Sequence, residues 1–360
     1  MKIGILTFHF VHNYGAVLQA YALQEFLRSN KYDVEFINFR PYERLFHEFR
    51  RFYIRRFISR NLKRVIYQLL LIPKRELRWK NFERFINENL KMSPKVKEIP
   101  SSYDVYVFGS DQIWNPFITN GFIDSYFGIF PFPKEHRKYI SYAPSMCQDH
   151  MTKSMEDYLK GALANFDSIS VREHSAVSLL IGLTSKPIAE VLDPTLLVQP
   201  SVWKSKIKNR NHSKKYVLVY QVVPIPETMN IANVVAKQQH AEVIEIKPYV
   251  ELKNRKNVMT TLSPDRFLDL IANACYVVTT SFHGTVFSLI YNIPFYTIKH
   301  NDSRDSRVIS LLGALGIEER LISRTTLPVC KHVNYDTINE KLETLRSFSQ
   351  SWLLDSLKDK

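Results

Sequence analysis

Apolar residues along the chain gather in short runs bounded by turn residues, and most runs precede a stretch with helical spacing. The first run, residues 2–7 (Lys-Ile-Gly-Ile-Leu-Thr), predicts a buried strand. The turn His12-Asn13-Tyr14-Gly15 and a predicted helix over 16–28 follow it. Strand, short turn and helix make the opening unit of a parallel α/β sheet. Further strands are predicted at 34–38, 105–108, 139–142 and 168–171, so one Rossmann-like sheet would fill roughly residues 1–195. The pattern then restarts. Residues 204–215, rich in Lys, Asn and Arg, predict an exposed connection. Beyond it come strands at 216–220, 243–246 and 276–278, and a helix at 231–239. Ser263-Pro264 predicts a helix start, with a capping serine and proline at the first helical position. An amphipathic helix is predicted from Tyr335 onward. The expected fold class is α/β, with one Rossmann-like domain over 1–200, a second over 201–330 and a C-terminal helix over 331–360.

Length and composition fit that reading. A chain of 360 residues exceeds what one core usually holds, and 45% apolar with 23% charged residues excludes wholesale disorder. The richest apolar stretch, 65–73, falls short of the ~18–20 residues a membrane span needs. The first residues carry one charge and a short apolar run broken by His9 and His12, unlike a secretory signal. Cys147, Cys275 and Cys330 are too scattered for a disulfide framework or a zinc site. A cytoplasmic protein without a bound metal is the expectation. The charge adds something new. Of a net +14, the segment 40–84 alone holds fourteen Lys or Arg against four Glu, with Phe49, Phe52, Leu69 and Leu70 among them. A basic helical insertion over about 40–95 would favour an anionic surface: nucleic acid, acidic lipid or an acidic polymer.

Four places could carry chemistry. Asn13-Tyr14-Gly15-Ala16 joins the first strand to its helix, where free N–H groups would attract an anion, unless the segment is only a tight turn. Gly109-Ser110-Asp111-Gln112-Ile113-Trp114-Asn115 follows the apolar run at 105–108. There Trp114 could cover a sugar face while Ser110 and Gln112 bind hydroxyls, and Asp111 could accept a hydroxyl proton. The plainer alternative makes Asp111 a helix cap and Trp114 core. Arg172 ends the strand at 168–171, where its planar fork suits a phosphate or carboxylate, or a salt bridge to a nearby acid. Thr279-Thr280-Ser281-Phe282-His283-Gly284-Thr285 joins a strand to an apolar helix. Ser281, Gly284 and Thr285 would surround His283 at a helix N-terminus, which binds anions and leaves an imidazole for proton transfer. The loop 299–307 brings Lys299, Arg304 and Arg307 close by. Dinucleotide-binding, Walker, zinc-protease and nucleophile-elbow motifs do not occur.

Five pieces in order, Asn13-Tyr14-Gly15-Ala16-Val17-Leu18-Gln19, Gly109-Ser110-Asp111-Gln112-Ile113-Trp114, Ser170-Val171-Arg172, Asp193-Pro194-Thr195-Leu196-Leu197 and Ser281-Phe282-His283-Gly284, resemble the polysaccharide pyruvyl transferase family from about residue 1 to 325. The resemblance implies a glycosyltransferase-B-like pair of Rossmann-type domains with the active site in the cleft. It implies transfer of pyruvate from phosphoenolpyruvate to two hydroxyls of a hexose as a cyclic ketal, without a cofactor, in exopolysaccharide, capsule or cell-wall polymer synthesis. In that chemistry His283 would be the general acid or phosphate ligand, Arg172 the clamp on the donor and Asp111 a base or hydroxyl-binder. Asp193 would lie near the interdomain crossing. Acceptors in bacterial members are often sugars on a polyprenyl-phosphate lipid, so the basic segment could hold the enzyme at the anionic inner membrane face. Two rivals remain open. One is an enzyme of the same architecture using a nucleotide-sugar. The other is a nucleic-acid-binding protein using the basic segment, although no specific recognition motif for nucleic acid is present.

Overall fold

Strands that read as unbroken apolar runs are buried on both faces, the condition of an all-parallel sheet covered by helices. The computed structural model describes residues 1–41, 62–207 and 214–358. The first half contributes β1 (Lys2–Leu6), α1 (Tyr14–Ser29), β2 (Asp33–Phe36), α2 (Leu62–Leu70), α3 (Ile72–Asn89), β3 (Val105–Phe108), α4 (Pro116–Thr119), β4 (Lys138–Ser141), α5 (Lys153–Leu163), β5 (Ser168–Val171), α6 (His174–Leu180) and β6 (Ile188–Glu190). Its sheet has the order β2-β1-β3-β4-β5-β6, parallel throughout. A 3-10 turn at Pro194–Leu196 and α7 (Pro200–Lys204) lead to the second half. There follow β7 (Tyr216–Tyr220), α8 (Glu227–Gln239), β8 (Glu242–Ile246), β9 (Val258–Met259), α9 (Pro264–Ala272), β10 (Tyr276–Thr279), α10 (Phe282–Ile290), β11 (Phe295–Ile298), α11 (Ser306–Leu315), β12 (Leu321–Ile322) and α12 (Tyr335–Leu357). The second sheet runs β12-β11-β10-β7-β8-β9, again all parallel. The molecule is therefore an α/β pair of Rossmann-like domains, as the apolar runs predict.

Each sheet reverses its winding once, between β1 and β3 in the first and between β7 and β10 in the second. Such a reversal opens a crevice beyond the carboxyl ends of the strands, where ligands bind in open α/β sheets. One apolar cluster runs through both domains, joining Val17, Leu18 and Phe82 to Tyr220, Phe267 and Phe287. Tyr14 stacks on Phe267 across the boundary, with ring centres 4.5 Å apart. Helix α12 returns to the first half, where Arg346 donates to the Leu196 carbonyl (2.7 Å) and the Ser349 hydroxyl accepts from the Leu192 amide (3.0 Å). It thereby braces the crossing between domains.

The basic segment divides. Its stretch 42–61, including Phe49 and Phe52, lies outside the described residues. Within α3 several polar side chains turn inward and staple the domains. Lys74 donates to the carbonyls of Glu251 (2.6 Å) and Leu252 (3.0 Å), Arg78 to that of Thr260 (3.2 Å) and Asn81 to that of Thr261 (2.6 Å). Arg84 pairs with Asp265 at 3.4 Å. Lys74 and Arg78 are thus engaged between the domains, while Arg84 is half exposed. Helix α2 differs: Leu62, Ile66, Leu69 and Leu70 are exposed. Among the described residues, no helix is long and apolar enough to cross a membrane.

Candidate active site

The carboxyl ends of β1, β3 and β4 in the first domain and of β7, β10 and β11 in the second meet around one cavity of about 440 Å³. This lies within the ~300–1,000 Å³ typical of small-molecule sites. The first domain supplies Asn13, Asp111, Gln112, Asn115 and Cys147; the second supplies Ser281, His283, His300, Arg304 and Arg307.

His283 sits in the first turn of α10, where the Ser281 hydroxyl caps the Gly284 amide at 3.4 Å. Its Nε2 lies 3.6 Å from Oδ2 of Asp193, and the same oxygen lies 3.1 Å from Nη1 of Arg172. All three side chains are almost wholly buried. One carboxylate on the interdomain crossing therefore joins an arginine from the first sheet to a histidine from the second. Burial alone would push the Asp193 carboxyl up, but Arg172 and His283, with a hydrogen bond from the Thr195 hydroxyl, hold it well below the usual carboxylate range. Asp193 is thus an anion. That anion faces Nε2 and fixes the orientation of the imidazole. Gly15 packs against the face of the ring: a Cβ built on that glycine would stand 2.0 Å from His283 Nδ1 and 2.5 Å from Cε1 and Cγ. Only a glycine leaves room for the ring.

Several expected roles change. Arg172 is no open clamp: besides Asp193, it donates to the Ala143 carbonyl (3.3 Å) and to the Ser110 hydroxyl. It does line a second, apolar chamber of about 500 Å³, which shares Phe282 and Arg307 with the first. Ser110 is buried as its support, away from the cavity lining. The amides of Gly15 and Ala16 are already taken by the Asn13 side chain (2.9 and 3.4 Å), so that turn offers neither to an anion. Trp114 is core. Its indole stacks on Phe127 and donates to the Tyr126 carbonyl at 3.0 Å, so it meets no sugar. Gly284 and Thr285 serve packing: a Cβ on Gly284 would meet Thr279 Oγ1 at 2.3 Å, and the Thr285 and Thr297 hydroxyls bond at 2.6 Å. Lys299 lies outside the cavity lining, and Arg304 lines it but is paired with Asp302 at 2.6 Å. Arg307 is the better placed cation. Its guanidinium lies 5.4 Å from the Phe282 ring centre, and its Nε has no hydrogen-bond partner among the described residues.

The family model for polysaccharide pyruvyl transferases matches residues 13–303, which includes every wall of this cavity except Phe8, Val11, Arg304 and Arg307. The chain belongs to the polysaccharide pyruvyl transferase family. No curated protein gives a significant sequence match. Among solved structures, the chain is similar to the UDP-GlcNAc 2-epimerase of Neisseria meningitidis bound to UDP-GlcNAc, with a TM-score of 0.47 and 9% identity over 100% of this chain and 95% of that one. It is also similar to the glycosyltransferase SnogD of Streptomyces nogalater, with a TM-score of 0.42 and 12% identity over 98% and 95%.

Within this pyruvyl transferase family member, two cavity residues had no separate signal in the sequence. His300 is buried, with Nε2 3.0 Å from the Thr280 carbonyl, and burial, together with Arg304, lowers its pKa. A carbonyl can only accept, so a neutral His300 carries its proton on Nε2. Cys147 is held 3.5 Å from the Ser303 carbonyl, its thiol pushed up by burial. Neither belongs to a local motif; folding alone brings each to the wall.

Proposed function

We propose that the protein transfers the pyruvyl group of phosphoenolpyruvate to two hydroxyls of one hexose, forming a cyclic ketal and releasing inorganic phosphate. The observation that carries this reading is His283, backed by the Asp193 carboxylate and set against Gly15 in a cavity between the domains. The donor carries a phosphate and a carboxylate. Arg307 and the positive end of α10 supply the matching field.

In this reading the imidazolium of His283 delivers a proton from Nδ1 to the methylene carbon of the donor. The adjoining carbon, now oxocarbenium-like, is attacked by one sugar hydroxyl. Asp111 binds that hydroxyl or takes its proton. Phosphate then departs with its bridging oxygen, and a second hydroxyl of the same sugar closes the ketal, its proton passing to the departing phosphate. Arg172 fixes Asp193 and so aims His283; it does not touch the donor. The test is incubation of the protein with phosphoenolpyruvate and a panel of galactosides and N-acetylhexosaminides. Phosphate release should match the amount of sugar that gains a pyruvyl unit. Calorimetry should find binding of phosphoenolpyruvate and none of a nucleotide-sugar, and the reverse would favour a sugar transferase.

Attachment to an anionic membrane surface forms part of the proposal. The exposed Leu62, Ile66, Leu69 and Leu70 recur at positions i, i+4, i+7 and i+8 of α2, one apolar stripe beside the chain's most basic segment. A helix of that kind lies in the headgroup plane of acidic lipid. In a flotation assay the protein should rise with vesicles containing phosphatidylglycerol, and Ile66→Glu with Leu70→Glu should abolish this. Equal flotation with neutral vesicles would contradict it.

A further inference from the structure

Large apolar side chains exposed singly on a surface need no explanation, but several around one mouth do. The cavity between the domains has such a rim. Phe117 (77% exposed) and Ile118 (38%) stand on α4 of the first domain, and Val222 (37%) and Val223 (40%) follow β7 in the second. All four line the cavity that holds His283. Phe117 is not left out by default. The Asn115 side chain caps α4 by accepting from the Phe117 amide (3.0 Å), and Pro116 starts the helix, so the ring projects from a fixed turn.

Beside this rim stand polar groups with spare capacity. Asn115 donates to Oε1 of Gln112 (2.8 Å), which orients that amide and leaves its Nε2 without a partner among the described residues. Asp111 accepts from the Gln112 amide through Oδ1 (2.9 Å), and Oδ2 has no hydrogen-bond partner among the described residues. A donor and a charged acceptor therefore adjoin an exposed ring on one wall.

We propose that this wall is the acceptor subsite, holding a hexopyranose with its C–H face on Phe117 and neighbouring hydroxyls on Gln112 and Asp111. A pyranose is the ligand whose chemistry matches: one face of C–H groups, and an equatorial fringe of hydroxyls that both donate and accept. Val222 and Val223 cover the sugar from the second domain. The ring that recognises the sugar is thus Phe117, three residues beyond the buried Trp114.

The inference rests on the pyruvyl transferase reading but is tested separately from it. Binding of methyl hexosides is measured by saturation-transfer NMR and calorimetry without phosphoenolpyruvate, then the kinetic constants are measured with it. Phe117→Ala should weaken sugar binding, and raise the acceptor KM, by about 3- to 10-fold, with the phosphoenolpyruvate KM and kcat unchanged. Phe117→Trp should bind the sugar as the parent does. Gln112→Ala should weaken sugar binding while leaving phosphoenolpyruvate binding intact. Unchanged sugar binding in Phe117→Ala would overturn the subsite. So would a Phe117 dependence seen only with octyl glycosides, which would assign the rim to a hydrocarbon chain. An equal rise in both KM values would also overturn it, because Phe117 would then act in domain closure. Sugar binding that depends on Phe117 without any ketal formation would leave the subsite standing and refute the transfer reaction.

Discussion

Gly15 and His283 hold one another's conformation although they lie on helices of different domains. Replacing Gly15 with Ala would drive a methyl group into the imidazole. A displacement of about 1 Å can cost on the order of 10² in rate. Gly15→Ala should therefore lower kcat about 10²-fold and lower stability by about 1–3 kcal/mol through overpacking, as steady-state assays and calorimetry would measure. Asp193→Asn should hurt twice. It leaves the buried Arg172 without a counter-ion, which costs about 3–5 kcal/mol of stability, and it removes the carboxylate that orients the His283 ring. Chemical denaturation would read the first effect and a kcat loss of about 10²-fold or more the second. Arg172 and His283 were legible in the sequence as strand-end and helix-start motifs, and Asp193 through the family resemblance, but its role as the link between them was not. Trp114 and Phe117 illustrate why. Which aromatic turns inward depends on a tight loop in which Asp111 adopts a left-handed φ of 67°, and no periodicity encodes the direction a chain takes through such a turn.

Helix α3 carries more of the architecture than its charge suggests. Arg78 donates to the Tyr14 hydroxyl (3.2 Å) and to the carbonyls of Thr260 (3.2 Å) and His12 (3.3 Å), and its guanidinium lies 4.8 Å from the Phe82 ring centre. Arg78→Ala removes these at once. It should destabilise the protein by about 3 kcal/mol, read as a lower denaturation midpoint, and raise the donor KM because this helix holds His12, which precedes Asn13 at the cavity wall. Element boundaries were legible wherever a strand is central. β3, β5 and β7 fall where their apolar runs predict, because burial on both faces demands such runs. The edge strands β6, β9 and β12 have two or three residues each and no run to mark them. The basic segment was read by charge alone, which cannot tell a cation bound to a carbonyl of the next domain from one in solvent.

At the scale of the molecule, three buried histidines are held neutral. His9 is lowered to about 4 by burial, then Arg40, and burial likewise lowers His12 and His300. A histidine with a depressed pKa contributes its full stability above the unfolded value near 6.5 and loses it as pH falls toward the folded value. For His9 that window runs from pH 6.5 to about 4 and is worth about 3 kcal/mol. Denaturation midpoints should therefore drop across this range, and His9→Gln should flatten the profile. A His9→Gln profile as steep as the parent's would deny the burial effect. Two parallel sheets winding outward from a reversal point place the cavity beyond the carboxyl ends of their strands, and that much the order of apolar runs already implied. The measurement that tests the central claim most directly compares the parent protein with His283→Ala and His283→Gln for phosphoenolpyruvate affinity and for ketal formation. The account predicts affinity within a few-fold of the parent and turnover lower by about 10²–10⁴-fold. Either variant turning over at near the parent's rate would contradict it.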